Sequence, residues 1–158
     1  MAVLAETTAQ VLVDDTITLP LPAEKVDEIV ARVQGLNCFV IENKVIFQGV
    51  LHKQIFFVDT NGIVRHVGVD IPFSGFVDLP GVPAGAACQL TAAIEFLNFK
   101  LLSPTELRET VVILIGVTVT DDVNNTNVFT NTLPLEPLRF GEPNAVRVKG
   151  AKGGLARR

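Results

Sequence analysis

Tryptophan and tyrosine are absent from the 158 residues, and cysteine, histidine and serine occur only twice each. Most side-chain chemistries are thereby excluded. Cys38 and Cys88 lie fifty residues apart with no Cys-x-x-Cys, which rules out a zinc knuckle and leaves either one disulfide or two buried thiols. Neither Ser74 nor Ser103 sits in a Gly-x-Ser-x-Gly elbow, and no glycine loop runs into Lys-Ser/Thr, so serine-hydrolase and P-loop chemistry are missing. Long apolar runs are also lacking: "VVILIGV" is too short to span a bilayer, and "MAVLAETTAQ" has no basic stretch leading an apolar one. The expectation is synthesis in the cytoplasm without a signal peptide, and no membrane span.

Charge is scarce and unevenly placed. Charged residues make up 19% of the chain against 48% apolar ones, and five of the thirteen basic residues (Arg147, Lys149, Lys152, Arg157 and Arg158) follow the last acidic one, Glu142. What precedes the tail is strongly acidic, which argues against nucleic acid as a partner. The basic end reads as a solvated tail or one that docks on an acidic neighbour. The acidic pairs Asp14-Asp15 and Asp121-Asp122 read as turn residues. "DDVNNTN" has the alternate spacing of a calcium loop at Asp122, Asn124 and Thr126, but lacks the glycine and the closing glutamate, Leu133 standing in the latter's place. No cofactor and no metal are expected, and no enzymatic activity.

Abundant Val, Ile, Leu, Phe and Thr favour strands. Residues 10–19, "QVLVDDTITL", read as a strand broken by a turn or bulge at Asp14-Asp15. In "LPAEKVDEIVARVQG" the residues Val26, Ile29, Val30 and Val33 fall on one helical face between Pro22 and Gly35, which predicts one short helix. Beyond Phe39 the text is strand after strand, joined by Asn-Gly, Pro-Gly and Ser-Pro signals, while "PFSGFVDLPGVPAGA" suits an edge or corner. "VFTNTLPLEPLRF" adds a further strand ended by prolines. The expected fold is mainly β, an antiparallel β-sandwich or partly open barrel with one short α-helix. Its organisation reads as an N-terminal strand or arm over 1–19, one β-domain over 20–140 and a basic tail over 141–158.

Asn61-Gly62 predicts a two-residue type I′ hairpin. Thr60 then faces Ile63, His66 faces Phe57 and Lys53 faces Asp70, and His52 and His66 point to opposite faces. They lie roughly 17 Å apart along the strand, too far to share a metal. In this register one face carries Lys53, Ile55, Phe57, Val64, His66 and Asp70, and the other His52, Gln54, Phe56, Val58, Arg65, Val67, Val69 and Ile71. Both faces carry large apolar groups, so both need cover, and another copy of the chain is the simplest source.

The stretches "IENKVIFQGVLHKQIFFVDTNGIVRHV" and "DIPFSGFVDLPG" resemble the SPOCS domain of sporulation morphogenetic and spore-coat-associated proteins. Lys44-Val45-Ile46, Gly49, the aromatic arm ending at Val58, and Ile71-Pro72-Phe73-Ser74 carry the resemblance, which covers about residues 19–120. It implies a noncatalytic structural or interaction module of the spore envelope. A single such domain without a peptidoglycan-binding LysM segment has little to bridge, so self-association is the expected role. The envisaged product is a spore-coat component, or a filament or tube outside the cell. Binding to another morphogenetic protein is the alternative. Candidate interaction residues are Val11, Val13, Ile17 and Leu19 on the arm, Phe56, Phe57, Phe73 and Phe76 on the strands, and Arg147 and Lys149 in the tail.

Overall fold

The computed structural model describes residues 2–121, 128–129 and 145–149. Eight strands run as β1 (Val3–Thr18), β2 (Ala23–Ile41), β3 (Lys44–Asp59), β4 (Val64–Asp78), β5 (Ala87–Ser103), β6 (Glu106–Thr120), β7 (Val128–Phe129) and β8 (Ala145–Lys149). The six long strands form two antiparallel three-stranded sheets, β1-β6-β5 and β4-β3-β2, with β7 added to β5 and β8 to β2. Each sheet buries one face. Val111, Ile113 and Ile115 of β6 and Leu51, Ile55 and Phe57 of β3 belong to one shared apolar cluster, which makes the arrangement sandwich-like. The Cys38–Cys88 disulfide ties β2 of one sheet to β5 of the other.

No helix occurs among the described residues, and the segment predicted to be one is the first half of β2. The reason lies in its bulges. Pairing with β3 slips by one residue at Ala23/Lys25, again at Val26/Glu28 and again at Gln34/Asn37. Each extra residue puts side chains three apart on the same face. Ala23, Val26, Ile29, Ala31, Val33 and Leu36 are all buried as a result, and this spacing imitates a helical stripe.

A second correction concerns the Asn-Gly hairpin. Asp59 and Ile63 close a three-residue loop, with Gly62 at φ 79° and its N–H donating to the Asp59 carbonyl. Asp59 Oδ1 also accepts from the Asn61 and Ile63 N–H groups, which favours a type I turn followed by a left-handed glycine over type I′. The register therefore shifts by one. His66 faces Phe56, Asp70 faces His52 and Val69 faces Lys53.

That shift moves every β4 side chain to the other face. Val67, Val69 and Ile71 join Leu51, Ile55 and Phe57 against the core. His52, Gln54, His66 and Asp70 share the outer face, where His52 Nδ1 lies 2.5 Å from Asp70 Oδ1. Val67, Val69 and Ile71 are thus covered by the chain's own core, and the large apolar groups left exposed on the outer face include Phe39, Ile41 and Phe76. Both histidines are on the outer face, four residues or about 13 Å apart along the strand.

Strand β1 is continuous through Asp14-Asp15, with no turn or bulge there, and it pairs with β6 from Val3 to Thr18. The Gly- and Pro-bearing stretch through Pro72 is the edge strand β4, followed by a loop over 79–86 that latches onto the β2–β3 turn. Asn43, at φ 65°, donates its N–H to Val82 and accepts from Leu79, while its side chain accepts from Gly81. Most of the segments read as a calcium-like turn, a final strand and a basic tail lie outside the described residues.

Candidate functional site

Three features of the sandwich can do something beyond holding it together: an edge, an outer patch and a buried charge cluster. The edge is β1. The Leu19 N–H donates to the Thr105 carbonyl, so odd-numbered residues of β1 turn their backbone groups toward β6. Even-numbered residues, among them Thr8, Gln10, Leu12, Asp14 and Thr16, then point theirs away from the sheet. Among its residues, "VLAETTAQVLVDDTIT", there is no Lys, Arg, Pro or Gly, and the only irregularity lies at its start between Val3 and Ala5. Strands that end a sheet are ordinarily blunted by such residues or by bulges. Strand β4, which ends the other sheet on the same flank, carries such a device: by the same parity Pro72 stands where an N–H would face outward.

An apolar patch lies at the β2–β3 turn end of the outer face, where Phe39, Ile41 and Phe76 are exposed, Phe76 to 61%. Phe39 pairs with Ile46 and Ile46 with Phe76, so the row crosses the whole sheet. Lys44 Nζ sits 4.2 Å from the Phe76 ring centre and 3.1 Å from Asp78. Beside the turn, residues Glu42, Asn43, Val82 and Pro83 line an open cavity of about 330 Å³.

The charge cluster sits between the two sheets. In β1-β6-β5, Asp15, Glu109 and Phe99 stand in one cross-strand row; in β4-β3-β2 the facing row is Val69, Lys53 and Ala31. Lys53 and Glu109 are fully buried. Lys53 Nζ donates to Glu109 Oε1 at 2.6 Å and to Asp15 Oδ1 at 2.9 Å, while Glu109 Oε2 is buried with no hydrogen-bond partner. Burial pushes the Glu109 carboxyl above its ordinary range, Lys53 pulls it down, and Asp15 adds to the rise. Two carboxyl groups directly opposite each other on neighbouring strands repel, so the arrangement depends on the amine between them.

Of the ten residues named from sequence, Val13, Leu19, Phe57 and Phe73 are buried, and Val11 and Ile17 pack against the same core. Phe56 is half-buried on the outer face, 4.9 Å from the His66 ring, and Phe76 is exposed. Arg147 and Lys149 pair through β8 with Val30 and Glu28, and their side chains lie outside the described residues. The sequence reads Asp15 as a turn residue and Lys53 as the partner of Asp70 and singles out no role for Glu109, although each is a charge at an inward position of a mostly apolar alternation.

A family model described as "SipL, SPOCS domain" matches residues 22–102, from the start of β2 to the end of β5. No curated protein and no solved structure matches the chain.

Proposed function

Because this chain belongs to the SPOCS-domain family, a family tied to sporulation, we propose that it is a noncatalytic structural protein that self-assembles by β-strand contacts, as a spore-coat or envelope component or as the subunit of a filament or tube. One observation carries the reading: β1 presents a long, regular edge whose outward backbone groups are interrupted by no Pro and, past its start, by no bulge. A second copy adding a strand there gains a ladder of backbone hydrogen bonds, with alternate side chains setting the register. Repetition of such a contact gives a ring when it closes and a filament when it does not. The disulfide suits an oxidising location outside the cytosol, such as a spore surface or an extracellular assembly.

The test replaces outward-facing backbone donors by proline. Thr8→Pro with Leu12→Pro removes two edge N–H groups and none that bond to β6, so the fold should persist. Light scattering and electron micrographs should show assemblies of the parent chain and single particles of the variant. Assembly unchanged by the prolines refutes the edge mechanism. Deleting 1–19 is unsuitable, since Val13 and Leu19 belong to the core.

The exposed row of Phe39, Ile41 and Phe76 favours a second reading, an adaptor that binds another spore morphogenetic protein through this patch. An adaptor stays monodisperse at every concentration. Phe76→Ser would then abolish capture of its partner without altering particle size.

A further inference from the structure

We infer that Lys53 and Glu109 condense into an amide that joins the two sheets covalently. A buried amine and a buried carboxyl group are held together with a second, partly exposed carboxylate, Nζ lying 2.6 Å from Glu109 Oε1 and 2.9 Å from Asp15 Oδ1. The groups that face this cluster from the remaining strands, Ala31 of β2, Val69 of β4 and Phe99 of β5, are all apolar. None of these three side chains competes for the nucleophile. Among the described residues no donor reaches Glu109 Oε2, so the amine between the carboxyl groups is the only one that holds Glu109.

The chemistry closes without any other reagent. A carboxylate is a poor electrophile, but burial favours the neutral acid at Glu109. Asp15, whose side chain keeps 26% of its surface exposed, stays in touch with solvent. It takes a proton from the Lys53 ammonium, and the freed Nζ electron pair attacks the Glu109 carboxyl carbon to form the C–N bond. The tetrahedral intermediate collapses as its C–O bond breaks. Hydroxide leaves with a proton and departs as one water, and Asp15 releases the remaining proton to solvent. Positioning of this kind converts a hopeless bimolecular condensation into an intramolecular one. The product replaces the buried ammonium and the carboxyl group by one neutral amide, with Asp15 left at the solvent side.

The inference is independent of self-assembly and is tested on the full chain by intact mass spectrometry after disulfide reduction. The expected mass is one water below that of the sequence, and proteolysis should yield a branched peptide joining Lys53 to Glu109. Lys53→Arg keeps the charge but removes the nucleophile, so its mass should equal that of its sequence. A parent chain at full sequence mass overturns the inference. So does a loss of water that persists in Lys53→Arg, or a branch that maps to Asp15.

Discussion

Reducing the Cys38–Cys88 bridge should destabilise the sandwich substantially, and the size of the effect follows from the loop it closes. The cysteines are separated by 50 residues and belong to different sheets. Restricting an unfolded loop of that length corresponds to about 4 kcal/mol at room temperature in the chain-entropy treatment. With a urea dependence near 2 kcal/mol per molar for a domain of this size, the midpoint should fall by roughly 2 M. The melting temperature should fall by roughly 8–16 °C. An amide between Lys53 and Glu109 changes these figures little, because the entropy varies only with the logarithm of loop length. The assay is a pair of urea titrations of the same protein with and without reductant, each followed by circular dichroism. Coincident midpoints, or alkylation of either cysteine in the unreduced folded protein, would refute the reasoning.

Gly75 lies across from Phe47, and a Cβ there would come within 2.7 Å of that buried ring, so Gly75→Ala should lower stability by about 1–3 kcal/mol in a thermal shift; a neutral result would mean the sheet yields. Lys53→Met leaves Asp15 and Glu109 facing each other unpaired and should lose about 3–5 kcal/mol at neutral pH. Since the folded pKa of Glu109 is raised above its unfolded value, stability in that variant should be highest below the unfolded value and decline as pH rises through the folded one. Equal urea midpoints at about pH 5 and pH 7 would contradict this. Asp59 has the opposite sign: the Arg65 hydrogen bond and the Ile63 N–H hold its carboxyl below the ordinary range. Its contribution is complete above about pH 4 and is lost as pH falls through the depressed folded value, so Asp59→Asn should flatten the acid limb of a stability–pH curve, and an unaltered limb argues against the cap.

Strand content was legible because β3 and β6 are rich in Val, Ile, Leu and Phe and bounded by turn residues, a signal that survives any error in pairing. Register was not. Asn61-Gly62 fits two turn geometries, and what decides between them is the Asp59 side chain, which takes two backbone N–H groups of the loop. The helix expected over 22–35 has a similar origin: period 3 on a strand needs bulges, and the one marked by residue type, at Gly35 with φ 65°, reads equally well as a helix stop. The charge cluster was readable in principle. Lys53 between Leu51 and Ile55, and Glu109 between Leu107 and Val111, break an apolar parity in mid-strand, as Asp59 does at the end of β3; the wrong register, which set Lys53 against Asp70, hid their meeting. Which cysteine state prevails had no trace in the spacing, because it depends on how closely β2 and β5 approach.

The bulges also set the two flanks of the molecule apart. Strand β2 carries three register slips and β5 two, while β4 has none and β1 only one at its very start. An added residue bends and twists its strand, and the two kinked strands are the ones that converge and share the disulfide. One flank is consequently pinched shut like the spine of a book, while straight borders run along the opposite one. A copy added side by side, as proposed, would meet the straight side, because surplus residues curl the backbone on the other.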